Sequence, residues 1–165
     1  MRRSKSVVLA VGVVSMLASC AWGQDWPQWR GANRDARISG FTAPSTWPTE
    51  LKSRWKVTVG LGDATPALVG KRLYVFARQG DEEVTMCLNA DDGKEIWRDK
   101  HPAPPVTGGP REHSGPRSTP TVADGRVVTL GVAGVLTCLD AASGKVLWTK
   151  DEFPGTWPRF YAAMS

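Results

Sequence analysis

Cysteine, histidine and tyrosine are scarce in this chain, and the few cysteines limit the disulfides that it can form. Among 165 residues there are three cysteines, two histidines and two tyrosines. Cys20 lies in the amino-terminal leader, so only Cys87 and Cys138 remain for the folded part. We expect these two to be small buried apolar side chains without a disulfide. A disulfide-dense scaffold is therefore excluded.

Long hydrophobic runs are absent as well. The apolar stretch at residues 7–18 holds about a dozen residues, whereas a permanent membrane helix needs roughly twenty. Because it follows Arg2, Arg3 and Lys5, it predicts a secretory signal peptide over residues 1–23.

Two processing patterns compete at the end of this leader. "AWG" has small residues at the positions that an ordinary signal peptidase recognises, so cleavage would release a chain that begins at Gln24. "LASC" resembles a bacterial lipobox, in which Cys20 would be lipidated and would attach the protein to a membrane. Both patterns stay open, and both predict an exported protein of the periplasm or cell envelope.

Excess basic charge is largely confined to the leader. The formal net charge is +5, from 21 basic and 16 acidic residues. Removing Arg2, Arg3 and Lys5 leaves 18 basic against 16 acidic residues, or about +2. The sequence shows no basic stripe with interleaved aromatic residues, so we expect no nucleic-acid binding.

What the chain does contain is an internal repeat that uses tryptophan. It has eight tryptophans against four phenylalanines and two tyrosines. "MCLNADDGKEIW" ends at Trp97 and "LTCLDAASGKVLW" ends at Trp148, with the same order of residue types. A period of about fifty residues indicates a repeat architecture.

The two copies differ in length by three residues. Thr65 and Thr119 are equivalent and lie 54 positions apart, whereas Cys87 and Cys138 lie 51 apart. The extra residues fall in "RQGDEE" at 78–83. We interpret this segment as a polar, solvated hairpin turn, because such turns tolerate length variation.

Each copy has the pattern of short strands joined by turns. In the first copy, four segments either alternate in polarity or are rich in β-branched and aromatic residues. They are residues 65–69, 72–77, 84–88 and 95–98. The pattern predicts one small antiparallel four-stranded sheet in each copy.

A shared motif follows the third strand of each copy. Its Asn or Asp can hydrogen-bond nearby backbone amides, and its Gly lies where a positive φ is needed. The tryptophan after it offers a flat surface for a neighbouring sheet, while its indole nitrogen needs an acceptor. This structural tryptophan-docking motif comprises Asn89, Gly93, Lys94 and Trp97 in the first copy and Asp140, Gly144, Lys145 and Trp148 in the second.

Stacking such sheets in a ring buries their faces and protects their edges. "STPTVADGRVVTLGVAGVLTCLDAASGKVLW" resembles one blade of the pyrroloquinoline quinone (PQQ) dehydrogenase-type propeller, whose hallmark is A-x-D-x-x-T-G-K-x-x-W. Ser143 and Asp92 stand where the family often has Thr. The resemblance implies an all-β propeller of the quinoprotein type, with seven or eight blades when complete and about two antiparallel four-stranded blades here.

The resemblance also orders the chain. "DWPQWRG" resembles the start of exported bacterial propellers of this group, and "RWKVTV" resembles the end of a blade without its beginning. We interpret the chain as an amino-terminal fragment of a longer propeller. The predicted organisation is a signal peptide at 1–23, an amino-terminal arm at 24–50, the closing strand of the last blade at 51–60, a blade at 64–100, an inter-blade loop at 101–117, a second blade at 118–151 and the start of a truncated blade at 152–165.

For the dehydrogenases of this group, the resemblance implies PQQ on the propeller axis, a calcium ion, a catalytic Asp and often a disulfide between adjacent cysteines. None of these features maps onto the chain, since Asp91 and Asp140 belong to turns and no Cys-Cys pair is present. We expect no cofactor in this fragment and leave PQQ and calcium open for a full-length protein. Catalytic, cofactor-binding and metal-ligating residues stay unassigned.

The same group includes non-catalytic propellers, such as the lipoprotein of the outer-membrane β-barrel assembly machinery, which bind protein partners. The sequence favours this class, a protein-binding or envelope scaffold whose partner is another envelope protein. A PQQ-dependent oxidoreductase with its catalytic residues in missing blades is the alternative. A binder of sugars or other small ligands is a third class.

The connection between the two predicted blades is a candidate site. It is rich in Pro and Gly and unusually long, and long loops in compact folds are often functional. Glu112 and His113 offer metal ligands or a proton-transfer pair, although a solvated loop with incidental histidines explains them as well. The candidate loop site comprises His101, Glu112, His113 and Arg117.

Overall fold

The computed structural model describes residues 24–103 and 113–151. The predicted signal peptide with Cys20, the loop residue Glu112 and the predicted truncated blade at 152–165 lie outside the described residues. No helix within the two described ranges is long and apolar enough to cross a membrane.

Eight strands form two antiparallel sheets, and in each sheet the strands follow one another in chain order. Blade 1 contains β1 (Ala67–Val69), β2 (Arg72–Gln79), β3 (Glu82–Asn89) and β4 (Glu95–Pro102). Blade 2 contains β5 (Thr121–Ala123), β6 (Arg126–Leu130), β7 (Leu136–Asp140) and β8 (Val146–Lys150). The predicted all-β fold with two four-stranded sheets is confirmed.

The register is the same in the two blades where the sequence repeats. Cys87 lies opposite Trp97, Cys138 lies opposite Trp148, and a bulge follows each cysteine. A bulge adds one residue to one strand and increases the local twist. It therefore gives both tryptophans the same place on the outer strand.

A shared apolar core joins one face of blade 1 to one face of blade 2. Alternate residues along a strand point to the same face, so each sheet sends one set of side chains across the gap. Burying this surface is the main favourable contribution to the contact. The buried core residues are Ala67, Tyr74, Cys87 and Trp97 from blade 1 and Val122, Val127, Leu139 and Ala141 from blade 2.

The opposite face of blade 1 is buried too. Val75, Ala77, Val84, Met86 and Leu88 form a second cluster there. The partly buried Val59, in the segment before β1, packs against this cluster. The central strands of blade 1 are therefore apolar on both sides, as expected for an inner layer of a stack.

Residues 51–60, predicted as the closing strand of the last blade, form no strand in the described part of the chain. The segment nevertheless lies along blade 1, where the Gln79 side chain donates a hydrogen bond to the Val59 carbonyl, 3.0 Å away. A closing strand needs the other strands of its own sheet as partners. Its assignment to a last blade therefore stays a prediction.

Candidate functional site

The contact between the blades is centred on one backbone carbonyl, that of Ala141. It accepts hydrogen bonds from Trp97 Nε1 at 3.1 Å, Tyr74 Oη at 3.2 Å and Arg72 Nη1 at 3.1 Å. All three donors come from blade 1. A buried carbonyl with three donors fixes the position of one sheet against the other, because each buried donor would otherwise lose its partner.

The turn around Ala141 is shaped by the motif residues. Asp140 Oδ1 accepts hydrogen bonds from the Ser143 hydroxyl at 2.6 Å and the Ser143 amide at 2.8 Å. These bonds favour the carboxylate, and they hold the pKa of Asp140 below its usual value. Gly144 has φ of +74° and lies under the Trp97 ring, where an added Cβ would be 2.6 Å from the nearest ring atoms. Only glycine suits this position.

Blade 1 presents an equivalent docking site to an earlier tryptophan. Trp55 Nε1 donates to the Ala90 carbonyl at 3.0 Å, and an added Cβ at Gly93 would be 2.6 Å from the Trp55 ring. Asn89 Oδ1 accepts the Asp91 amide at 2.8 Å, whereas Asp140 Oδ1 accepts the amide of Ser143, one position further along. Each tryptophan therefore docks on the repeat that follows it in the chain. The sequence motif did not include Trp55, although the resemblance of "RWKV" to a blade end was a usable signal.

The third tryptophan has no such neighbour among the described residues. Trp148 is 41% exposed, whereas Trp97 is 8% exposed. It lines a cavity of about 540 Å³ on the outer face of blade 2, with Thr121, Arg126, Val128, Cys138 and Leu147 among the other lining residues. Thr121, Arg126, Cys138 and Trp148 are equivalent to Ala67, Arg72, Cys87 and Trp97, which contact blade 2 from blade 1.

The two lysines of the motif lie on the surface, and both are exposed. Lys94 Nζ is 3.1 Å from Asp92, and the Lys94 amide is the main cause of a lowered pKa at Asp92. Such exposed pairs contribute little to stability.

Cys87 and Cys138 are buried and not bonded to each other, as the sequence predicted. Burial raises the pKa of both thiols above the usual value. A buried, protonated thiol is a poor nucleophile. Neither cysteine is therefore a candidate catalytic group.

At the other end of the sheets, the structure places His101 of the predicted loop site in β4. Its Nε2 lies 3.2 Å from Glu83 Oε2, and the Glu83 side chain is fully buried. Glu83 Oε1 accepts the Val132 amide of blade 2 at 2.9 Å. The pair therefore forms a polar bridge between the blades.

Residues 78–83 form a hairpin, with an exposed turn at Gly80 and Asp81, but the prediction that the whole segment is solvated is wrong. Arg78 in β2, Glu83 in β3 and His101 in β4 lie side by side on three neighbouring strands. Arg78 is 4% exposed and Glu83 is not exposed at all. The burial of Glu83 was not predicted because it depends on a contact with Val132 of blade 2, which a local pattern does not reveal.

The Arg78 guanidinium holds both ends of the inter-blade connection. Its Nη atoms donate to the Ala103 carbonyl at 3.1 and 3.2 Å, and its Nε donates to the Ser114 carbonyl at 2.8 Å. A planar guanidinium can bind two carbonyls in a fixed geometry. The segments that carry His101 and His113 therefore meet at Arg78.

His113 forms a second histidine–carboxylate pair at this end. Its Nδ1 lies 3.0 Å from Asp63 Oδ2, and both side chains are at least half exposed. Arg117 donates to the His113 carbonyl at 2.7 Å. Of the predicted loop site, the structure thus brings His113 and Arg117 together and gives His101 a different carboxylate. An exposed pair of this kind is available for contact with a ligand or a partner.

Residues 24–103 and 113–151 contain no group of three or more His, Cys, Asp or Glu side chains that could hold a metal ion.

The sequence also matches a known protein family. Residues 22–157 match the sequence model of the family described as outer membrane protein assembly factor BamB. The chain belongs to the BamB family. Membership of this family and the two stacked sheets agree with the predicted PQQ-like propeller repeat. No curated protein matches the sequence significantly.

Three solved structures are similar to this BamB-family chain at 21% identity. BamB from Moraxella catarrhalis aligns with a TM-score of 0.48 over 59% of this chain and 27% of its own. Quinohemoprotein alcohol dehydrogenase from Comamonas testosteroni aligns with a TM-score of 0.40 over 54% of this chain and 13% of its own. A europium-containing methanol dehydrogenase aligns with a TM-score of 0.40 over 56% of this chain and 16% of its own. The chain thus spans about a quarter of the length of the BamB structure and less than a fifth of the length of each dehydrogenase.

Proposed function

We propose that the chain is part of a non-catalytic propeller that binds protein partners in the bacterial cell envelope. The observation that carries this proposal is the family match over residues 22–157, since the family is described as an outer membrane protein assembly factor. We propose further that the leader directs export and that Cys20, if lipidated, attaches the protein to a membrane.

The partner surface that we propose is the sheet end with the exposed Asp63–His113 pair and Arg117. This end displays charged groups on a rigid frame, because Arg78 and Glu83 tie it to both blades. Preformed polar groups at a rigid surface favour specific recognition of a partner. Asp81, in the exposed turn between β2 and β3, lies at the same end.

Site-specific photo-crosslinking in the cells of the source organism tests this function. A photoreactive residue replaces Asp81, and the control replaces Lys94, which is exposed at the opposite sheet end. We expect adducts with an identified outer-membrane protein or assembly component at Asp81, at least threefold more abundant than at Lys94. Adducts of equal abundance at both positions, or none at Asp81, would contradict the proposed surface.

We propose that this chain binds neither PQQ nor calcium by itself. Titration with PQQ, with and without calcium, is followed by tryptophan fluorescence, because eight tryptophans report on binding. The expected result is no saturable quenching. Saturable quenching that needs calcium would overturn this proposal and favour a quinoprotein oxidoreductase.

A further inference from the structure

The amino-terminal arm lies across the inner edges of both blades. Trp26 and Leu68 exchange two backbone hydrogen bonds, of 2.7 and 2.9 Å. The Val122 amide donates to the Pro27 carbonyl at 2.8 Å. Leu68 and Val122 are equivalent residues, 54 positions apart, at the centres of β1 and β5. The carbonyls of two consecutive arm residues, Trp26 and Pro27, therefore accept hydrogen bonds from equivalent edge amides in two successive blades.

This edge is the free side of the innermost strands. β1 pairs with β2 and β5 pairs with β6, so each inner strand has one edge left for another chain. An exposed strand edge readily accepts an extended segment, because its amides and carbonyls need partners. Pro27 cannot donate a hydrogen bond of its own, so the arm does not continue as a regular strand beyond Trp26.

The hydrogen bonds that hold the arm on the blades are mostly between backbone groups. Apart from the bonds already described, the Gly70 amide donates to Asp25 Oδ1 at 2.7 Å. The Trp26 ring lies over Gly31 of the arm itself, where an added Cβ would be 3.0 Å from the ring. Backbone contacts of this kind depend on an extended shape more than on side-chain identity. Another peptide of similar shape can therefore satisfy them.

A cavity of about 520 Å³ adjoins the arm between the two blades. Asp25 and Pro27 form one side of it, and Arg72, Tyr74 and Asp124 are among the residues on the other sides. The cavity leaves room beside the arm for side chains that the arm does not provide.

We propose that the paired edges at Leu68 and Val122 form a peptide-binding site that the chain's own arm occupies, and that an extended segment of a partner protein exchanges with the arm. The partner segment that fits is extended and has an acidic side chain that can accept the Gly70 amide, as Asp25 does. This inference deepens the proposed function and rests on it for the existence of a partner.

The test uses the full chain and a fluorescein-labelled peptide with the arm sequence QDWPQWRG. In the wild type the tethered arm competes at an effective concentration in the millimolar range, so the labelled peptide should bind weakly. Trp26→Pro removes the amide that donates to the Leu68 carbonyl. We expect fluorescence anisotropy to show at least tenfold tighter peptide binding to this variant.

Trp29→Ala is the matched control, because Trp29 is exposed and contacts Arg30. It should bind the peptide as weakly as the wild type. A peptide with proline in place of its first tryptophan should bind the Trp26→Pro chain at least tenfold more weakly than the arm peptide does. Failure of the arm peptide to bind a Trp26→Pro chain with a native circular dichroism spectrum overturns the inference, as does equal binding to all three chains.

Hydrogen exchange in the wild type gives an independent test if Trp26→Pro does not fold. The amides of Leu68 and Val122 should be protected, yet exchange at least tenfold faster than amides in the ladder between β2 and β3. Equal protection would mean that the arm does not exchange and would overturn the inference. Because these tests use only the chain and its own sequence, their failure leaves the crosslinking result for a partner unaffected.

Discussion

Trp97 and Trp148 occupy equivalent positions in two copies of one repeat, and their surroundings differ. Trp97 is 8% exposed and donates to a carbonyl of blade 2, whereas Trp148 is 41% exposed at the edge of the described structure. The register of the tryptophan opposite a cysteine, the bulge and the positive-φ glycine of the preceding turn are the same in both blades. The burial of this tryptophan is therefore a property of the neighbouring repeat and not of the repeat that contains it.

The hairpins formed by the second and third strands also differ between the blades, in the length of their strands. β2 and β3 of blade 1 have eight residues each, whereas β6 and β7 of blade 2 have five. The longer hairpin carries Arg78 and Glu83 into the gap between the blades. A length difference that resembles a harmless loop variation thus creates a polar contact with the next blade.

Among the substitutions considered, alanine in place of each of the two tryptophans should give the largest difference in free energy of unfolding between the blades. Trp97→Ala removes a buried ring and an indole donor and should lower the free energy of unfolding by about 3–5 kcal/mol. Trp148→Ala should lower it by less than about 1 kcal/mol, because the ring is partly solvated. Urea unfolding measures both. Equal losses would show that Trp148 is buried in solution.

Alanine at the glycine under Trp97 should have the next largest effect. Gly144→Ala combines a positive φ with a clash against the Trp97 ring and should cost about 2–4 kcal/mol. Gly125→Ala is the control, since its φ of +70° is similar but no atom lies within 4 Å of an added Cβ. It should cost about 1 kcal/mol. A similar loss in both variants would attribute the effect to backbone strain alone.

Removal of the buried carboxylate tests the contribution of the longer hairpin. Glu83→Ala leaves the Val132 amide and His101 without their partner, and we expect a loss of about 1–3 kcal/mol. Glu82→Ala removes the adjacent carboxylate, which pairs with Lys100 on the surface, and should cost less than about 1 kcal/mol. Thermal unfolding of both variants checks the difference. A larger loss for Glu82→Ala would contradict the buried bridge.

The smallest expected effect concerns pH. Since the pKa of Asp140 is lower in the folded chain than in the unfolded one, its contribution to stability is present above the unfolded pKa and is lost as pH falls through the folded pKa. Asp140→Asn should therefore flatten the acid limb of the stability curve slightly. Urea midpoints between pH 5 and about pH 2 measure the change. An unchanged acid limb would exclude Asp140 as a contributor.

The sequence allowed the repeat, the strands and the docking motif to be predicted because these depend on local signals. Asn89 followed by Gly93, like Asp140 followed by Gly144, predicts a turn. Alternation of apolar and polar residues predicts a strand. The burial of Glu83 could not be predicted in this way, because it depends on the Val132 amide 49 positions away.

The candidate loop site was predicted only in part for the same reason. Sequence proximity placed His101 and His113 in one connection, whereas the fold pairs them with Glu83 and Asp63. Asp63 precedes β1 and is 50 positions from His113. Its pairing with His113 could not be predicted without the topology that brings the segments before the two blades together.

The direction of tryptophan docking has a consequence for synthesis on the ribosome. Trp97 is made before the turn that receives it, because Gly144 follows 47 residues later. At about 5–20 residues per second, this delay is roughly 2–10 seconds. During that interval the Trp97 indole lacks the Ala141 carbonyl that accepts its hydrogen bond in the folded chain. Each repeat therefore completes its own burial only when its successor has emerged, so the stack assembles from the amino terminus onward.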